Sequence, residues 1–274
     1  MDALRSWAAQ LAAWAIPEPI LARTRESPWV LPGQVFIRRT QRQVAEPGGA
    51  TYDAALAVLA SPGTALDVGA GAGATSLPLA ARLTSVTAVD ENQALLERFA
   101  EHAAALGVPA RIVAGSWPGV AGEVEPADMV LCGHVLYNVA DLAPFVTELT
   151  GHARLRVVAE LTARHPLVSL NPLWRRFHGI ERPSGPTAED AVAALRCLGI
   201  EPVVTRWSRP AAADYATFEE MVEVTRRRLC LPPDARPEVA AALRDLQIDP
   251  ATPPDLGSGA RQVVTLTWPG SAGA

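Results

Sequence analysis

The stretch 65–74, ALDVGAGAGA, constrains the fold of this chain more than any other. A short apolar run that contains Asp67 leads into three glycines at alternating positions, Gly69, Gly71 and Gly73, and then into an apolar segment. Glycine is needed where a tight turn has positive φ or where a ligand approaches the backbone closely. The pattern predicts a strand, a bare turn and a helix whose free N–H groups face whatever lies over the turn. It therefore indicates a nucleotide or cofactor cradle.

Strands and helices alternate after this turn. Short β-branched runs predict strands at 64–69, 85–90, 110–114, 127–132, 155–161, 201–207 and in the final RQVVTLTW. Helices are predicted after the first strand, at 92–106 after the second, and from Asp141 after the fourth. Strands that alternate with helices form a doubly wound, mostly parallel sheet. The expected fold class is α/β, with a Rossmann-like sheet of seven strands formed by residues 61–209 and 259–270.

Two segments are predicted to lie outside this core. Residues 1–60 are expected to form an N-terminal helical cap segment, and residues 210–258 a helical insertion that covers the active site. Within the core, a helix is predicted at 75–83. The stretch 162–186 mixes aromatics, arginines and prolines without a sustained period, so a long ordered loop is predicted there, with a turn at 171–174.

Charge and cysteine content exclude several classes of protein. The 274 residues carry a net charge of −5, which argues against a broad basic surface for nucleic acid, although RNA is not excluded as a partner. The three cysteines lie far apart without CxxC spacing, and no histidine–carboxylate spacing suggests a catalytic metal. No apolar run is long enough to span a bilayer. A cytoplasmic protein without a membrane partner is expected, and its oligomeric state stays open.

Arginines are concentrated near the N-terminus. Between Arg23 and Arg42 there are five arginines and one acid, Glu26. Such a cluster marks either an anionic substrate or a solvated face, and the solvated face is favoured.

Two acids make the cradle more specific. Asp67 precedes the first glycine by two residues, and Asp90 ends the second predicted strand. With these acids, DVGAGAG resembles the nucleotide-binding signature of the class I S-adenosylmethionine-dependent methyltransferases, and the resemblance runs from about residue 64 to residue 161. It implies S-adenosylmethionine as cofactor and S-adenosylhomocysteine as product. It also implies that the glycine turn lies against the methionine and ribose portion and that Asp67 helps to anchor the amino acid end, while Asp90 accepts the ribose hydroxyls.

Two further stretches extend the resemblance. ADMVLCGHVLYNVADL is similar to the fourth strand and following loop of small-molecule methyltransferases in this superfamily, which places Gly133, His134 and Tyr137 beside the transferable methyl. After the third strand the family often has an acid that meets the adenine amino group, whereas this chain has Ser116 and Trp117. We expect the hydroxyl to hydrogen-bond the adenine and the indole to cover the purine. More loosely, the N-terminal helices and 162–186 resemble those of a group of actinobacterial methyltransferases.

The candidate catalytic groups follow from the reaction that this resemblance implies. Methyl transfer from a sulfonium is an in-line displacement that depends on alignment and desolvation, and a base helps when the acceptor is a hydroxyl or a protonated amine. His134 and Tyr137 are candidate bases, with packing against the cofactor as the alternative. Glu160, at the end of the fifth strand, and His165 are second choices, and Glu160 is either a site group or the partner of a nearby arginine.

The function predicted from these residues is S-adenosylmethionine-dependent methylation of an oxygen or nitrogen of a small organic molecule. An RNA methyltransferase that uses the arginines of 23–42 is the rival within the same class. A nicotinamide-dependent oxidoreductase and a cofactor-binding protein without turnover are the alternatives from other classes.

Overall fold

Seven strands form one sheet in the described part of the chain, which comprises residues 2–210, 212–251 and 262–272 of a computed structural model. The strands are β1 (Gly63–Val68), β2 (Leu83–Asp90), β3 (Ala110–Ala114), β4 (Ala127–Gly133), β5 (Ala153–Thr162), β6 (Val203–Ser208) and β7 (Gln262–Pro269). Their order is β3-β2-β1-β4-β5-β7-β6. Strands β1 to β5 pair in parallel, and β7 is antiparallel to both β5 and β6. The predicted doubly wound, mostly parallel α/β fold is confirmed.

Helices flank the sheet and extend from it. They are α1 (Asp2–Ala12), α2 (Glu18–Leu21), α3 (Gly33–Ala45), α4 (Ala50–Val58), α5 (Gln93–Ala105), α6 (Leu142–Gly151), α7 (Asn171–His178), α8 (Ala188–Cys197), α9 (Phe218–Arg228) and α10 (Arg236–Asp245). Polar caps explain where several of them begin. Thr187 and Asp190 form a reciprocal capping box at the start of α8, and the side chains of Asn92 and Thr217 accept N–H groups of α5 and α9.

The two faces of the sheet are covered by different helices. On one face α1, α6 and α8 contribute Trp7, Phe145 and Leu195, and on the other α4 and α5 contribute Ala55 and Phe99. All five side chains are at most 2% exposed. Burial of a large apolar side chain contributes about 1.5–3 kcal/mol. The sheet is therefore a well-packed base for the groups at its carboxyl edge.

A third apolar cluster, here called the cap cluster, joins segments that are distant in sequence. It contains residues from the N-terminal connector, α3, α7, α9 and α10, among them Ile16, Val35, Leu173, Trp174, Met221 and Val239. In contrast, α1 and α4 pack on the sheet. The division into a cap segment 1–60, a core and an insertion 210–258 stays a prediction. Residues 252–258 of the predicted insertion and residues 259–261 of the predicted core lie outside the described residues.

The helix predicted at 75–83 is wrong. The structure has a short 3₁₀ helix at Leu77–Arg82. Pro78 explains the difference, because a proline has no backbone N–H and disfavours the α conformation at the residue before it.

The loop predicted at 162–186 is also corrected. A 3₁₀ turn at Pro166–Leu170 leads directly into α7, so residues 171–174 form the first turn of a helix and not an isolated turn. Helix α7 buries Leu173 and Trp174 and is capped at its C-terminus by Gly179, whose φ is 67°. Two helical turns are too short to show a periodicity that can be recognised among so many prolines and aromatics.

The arginines of α3 do not form a solvated face. Arg38 Nη2 lies 2.7 Å from Glu220 Oε1, and Arg39 and Arg42 both bind the carboxylate of Asp214, which is 1% exposed. Burial alone would raise the pKa of Asp214, but the two guanidinium groups hold it below its ordinary value. These three arginines bind the chain's own acids, so neither the favoured solvated face nor an anionic substrate accounts for them. Arg23 and Arg25 are exposed.

Candidate active site

The glycine turn lies at the carboxyl end of β1. Gly69, Gly71 and Gly73 have φ of 72°, 53° and 102°, in the region that residues with a Cβ rarely adopt. A Cβ at Gly69 would overlap Val135, and one at Gly73 would overlap Leu77, whereas one at Gly71 would lie 3.6 Å from Phe36 of α3. Gly69 and Gly73 are therefore packed closely against the protein, and Phe36 of α3 lies near Gly71.

Asp90, at the end of β2, holds the turn in place. Its Oδ2 accepts the N–H of Gly71 at 2.8 Å, and its Oδ1 accepts the N–H of Asn92 at 2.8 Å. Each carboxylate oxygen has a second lone-pair direction. The same side chain can therefore order the turn and accept two hydroxyl groups of a ribose.

Asp67 is a buried carboxylate without a hydrogen-bond partner among the described residues. It is 0% exposed, and the nearby Ser76 hydroxyl is unpaired as well. Burial raises the pKa of Asp67 to about 7, since the closeness of Ser76 offsets only part of the desolvation and Asp90 adds a like charge. A native structure seldom leaves such a group unsatisfied without a functional reason. Asp67 therefore fits a site that awaits a donor group of a ligand.

His134 follows β4 and is held twice by Glu160. Its φ is 60°, which is strained for a residue other than glycine, and its backbone N–H donates to the Glu160 carbonyl at 2.7 Å. The imidazole Nε2 lies 2.8 Å from Glu160 Oε1, and the side chain is 29% exposed. Gly133 is opposite Glu160 in the β4–β5 register, and its missing Cβ leaves room for the side chain of Thr75. The structure thus brings two of the predicted catalytic residues together.

Glu160 is an ionised carboxylate in a buried network. It is 6% exposed, Arg209 binds its Oε1, and the Thr51 hydroxyl lies 2.5 Å from its Oε2. Burial would raise its pKa, but His134, Arg209 and Thr51 together lower it to about 2. Glu160 therefore acts as the partner of an arginine and an imidazole and does not take up a proton near neutral pH.

Sequence reasoning missed Thr51 and Arg209. Both are far from Glu160 in the chain, and no motif contains them. Strand alternation offered a partial signal, since Glu160 shares a face of β5 with Val158, which packs with α4 and α5. Arg209 directly follows β6, whose pairing with β7 could not be read from local sequence.

Tyr137 is placed in the core behind the site. It is 5% exposed, its hydroxyl donates to the Thr162 carbonyl at 2.8 Å, and its ring stacks on Trp7 at 5.6 Å. Burial raises its pKa. His165 lies 5.2 Å from this ring and stacks on Trp14, and burial lowers the pKa of His165 to about 4. Both side chains are engaged within the protein, and the roles proposed for Tyr137, as a base or in packing against the cofactor, stay predictions.

Ser116 and Trp117 differ in their availability. Ser116 is exposed, whereas Trp117 is 8% exposed and its indole N–H donates to the Phe145 carbonyl at 3.3 Å. The edge of this indole packs against His152 at 4.9 Å. The protein itself uses the indole N–H, and the predicted adenine contacts of Ser116 and Trp117 stay predictions.

No group of three or more His, Cys, Asp or Glu side chains within 2–210, 212–251 and 262–272 is arranged to hold a metal ion. No helix in these ranges is both long and apolar enough to cross a membrane.

Comparison with known proteins connects this geometry to a family. Residues 65–154, which contain the glycine turn, Asp90 and His134, match a model described as a methyltransferase domain. Over 188 residues the chain is 29% identical to a ubiquinone biosynthesis O-methyltransferase of Caulobacter vibrioides, covering 60% of this chain and 72% of that enzyme.

Solved structures share the fold at lower identity. The YcgJ protein of Bacillus subtilis matches with a TM-score of 0.52 and 17% identity, covering 82% of this chain and 100% of the other. A cyclopropane-fatty-acyl-phospholipid synthase-like protein of Lactobacillus casei matches with a TM-score of 0.53 and 16% identity, covering 92% and 98%.

Proposed function

We propose that this chain, which belongs to the class I S-adenosylmethionine-dependent methyltransferase superfamily, methylates a hydroxyl group of a small organic molecule. The relative from Caulobacter vibrioides is named as an O-methyltransferase, and the site offers an imidazole held by an ionised carboxylate. A base of this kind is useful for a hydroxyl, which must lose its proton as it is methylated.

The proposal that this chain binds S-adenosylmethionine rests on the buried, unpartnered carboxylate of Asp67 beside the glycine turn. Asp67 would anchor the amino acid end, Asp90 would accept the ribose hydroxyls, and Ser116 would meet the adenine. The turn itself, bare of side chains, would lie against the ligand. When bound, S-adenosylmethionine supplies an electrophilic methyl group on a sulfonium.

The proposed deprotonation of the acceptor hydroxyl depends on His134. Its imidazole is partly exposed at the carboxyl edge of the sheet, where doubly wound folds bind their substrates. His134 takes the proton of the acceptor hydroxyl, and Glu160 orients the ring. Alignment of the acceptor with the methyl group supplies the remainder of the catalysis.

No observation favours RNA as the acceptor. Arg38, Arg39 and Arg42 are bound to Asp214 and Glu220, so only Arg23 and Arg25 of the N-terminal cluster are exposed to a phosphate backbone. The net charge of −5 gives no broad attraction for a polyanion either.

The proposal is tested by transfer of a labelled methyl group to panels of small phenols and matched anilines. We expect the wild type to label phenols, and Asp90→Ala to lose both transfer and cofactor binding in calorimetry. Asp53→Ala, which removes an exposed acid of α4, is the matched control and should behave as the wild type. Labelling of anilines alone, or undiminished cofactor binding by Asp90→Ala, would overturn the assignment.

A further inference from the structure

A line of buried hydrogen bonds runs from the edge of the sheet to His134. The indole Nε1 of Trp207 lies 3.0 Å from Thr265 Oγ1, and this oxygen lies 2.6 Å from Thr51 Oγ1. Thr51 Oγ1 in turn lies 2.5 Å from Glu160 Oε2. Thr51, Thr265 and Glu160 are 7%, 1% and 6% exposed, so water does not compete for these groups. The line crosses β6, β7, α4 and β5.

Chemistry fixes the direction of every bond in this line. An indole N–H can only donate and an ionised carboxylate can only accept. The single hydroxyl hydrogen of Thr51 therefore points to Glu160, that of Thr265 points to Thr51, and Trp207 donates to Thr265. Hydrogen bonds that point the same way polarise one another. Each donor in the line therefore points toward the end at which Glu160 accepts the last hydrogen bond, from Thr51.

The same reasoning assigns the proton of His134. Because Glu160 Oε1 is anionic and lies 2.8 Å from Nε2, this nitrogen carries the hydrogen in the neutral imidazole. Arg209 Nη1 is 3.2 Å from the same nitrogen, but two donors cannot bond each other, so Arg209 acts through its ion pair with Glu160. The lone pair is left on Nδ1.

We propose that Thr51 is a positioning residue for the methyl-transfer reaction. By holding Oε2 of Glu160 it keeps Oε1 against Nε2 of His134, which fixes the tautomer with Nδ1 as the atom that accepts the acceptor's proton. The inference rests on the proposed function for its catalytic meaning. The tautomer itself is a property of the free protein.

The start of α4 is built to hold Thr51 in this place. Gly49 precedes α4 with φ of 95°, and a Cβ there would lie 2.5 Å from the ring of Trp207. The backbone at the start of α4 therefore packs against the same tryptophan that begins the hydrogen-bonded line. Two residues further on, the Thr51 hydroxyl lies within hydrogen-bond distance of both Glu160 and Thr265.

The test is a long-range ¹H–¹⁵N correlation spectrum of the histidine side chains at about pH 8.5, where an ordinary imidazole is neutral. His134→Asn identifies the His134 signals. We expect the wild type to show His134 as a single tautomer with hydrogen on Nε2. Thr51→Val should lose that single tautomer and show an averaged pair of nitrogens, whereas Thr51→Ser should restore the wild-type spectrum.

A structural role of Thr51 alone would not move these signals selectively. His152, which contacts the carbonyls of Glu148 and Ala121, is an internal reference that should stay unchanged in every variant. Should Thr51→Val fail to fold, Thr51→Ala removes the hydroxyl without adding a methyl group and gives the same readout. Hydrogen on Nδ1 in the wild type, or an unchanged His134 spectrum without the Thr51 hydroxyl, would overturn the inference.

Calorimetry separates this inference from the proposed function. The hydrogen bonds of the Thr51 hydroxyl run to Glu160 and Thr265, on the acceptor side of the proposed site, so Thr51→Val should bind S-adenosylmethionine as the wild type does. A wild type that shows the expected tautomer but does not bind S-adenosylmethionine would remove the proposed function and leave the assignment of the proton intact.

Discussion

At the scale of single residues, Asp67 shows how a binding group lowers the stability of the free protein. Its pKa is raised to about 7 in the folded chain, and an aspartate in an unfolded chain titrates near 4. The folded state therefore holds a proton that the unfolded state has released. The contribution of this proton to the free energy of unfolding is fully present below about pH 4 and is lost as the pH rises through about 7.

Asp67→Asn should remove this pH dependence. Between about pH 5 and pH 8 we expect the free energy of unfolding of the wild type to fall by roughly 2–3 kcal/mol more than that of the variant. Urea denaturation at the two pH values measures the difference. Glu160 and Asp214 do not interfere, because their pKa values are lowered and their contributions are lost only as the pH falls below about 4. A parallel pH dependence of the two proteins would contradict the account.

The residues that sequence reasoning found are those whose place depends on strand order. Asp67, Asp90, His134 and Glu160 lie in or directly after strands of one parallel sheet, whose carboxyl ends meet at one edge. The direction of Tyr137 was not predictable, because it lies in a short 3₁₀ turn, Leu136–Asn138, where a shift of one residue exchanges core and cleft.

At the scale of elements, α3 connects the glycine turn to the cap cluster. Phe36 lies over Gly71, Val35 belongs to the cap cluster, and Arg39 and Arg42 bind the buried Asp214. The arginine-rich sequence of α3 is thus explained by an acid 172 to 175 positions further along the chain. Local pattern predicted the helix, but the partner of its charged face depends on tertiary packing.

Asp214→Asn should weaken this attachment strongly. Removal of one partner from a buried ion pair leaves uncompensated charge and costs about 3–5 kcal/mol of stability. Asp245→Asn is the matched control, since its partner Arg176 forms an exposed pair worth at most about 1 kcal/mol. Guanidinium denaturation of both variants provides the comparison, and equal losses would show that Asp214 does not hold α3.

At the scale of the whole molecule, the site is formed by groups that meet from three parts of the chain. The glycine turn and His134 come from the first half of the sheet, Thr51 from the helix before it, and Arg209 from the end of β6. The periodicity of the sequence predicted the sheet, and the resemblance of the glycine turn to a methyltransferase signature implied the cofactor side of the site. The local sequence could not predict Thr51 and Arg209, because they lie 109 and 49 residues from Glu160 in the chain and produce no local pattern.

The central claim is that the glycine turn, Asp67 and Asp90 bind S-adenosylmethionine. Calorimetric titration of the wild-type protein with S-adenosylmethionine and, separately, with NAD tests it most directly. We predict saturable binding of S-adenosylmethionine at one site per chain, competition by S-adenosylhomocysteine, and no binding of NAD. Saturable binding of NAD without binding of S-adenosylmethionine would contradict the account and would favour a nicotinamide-dependent enzyme.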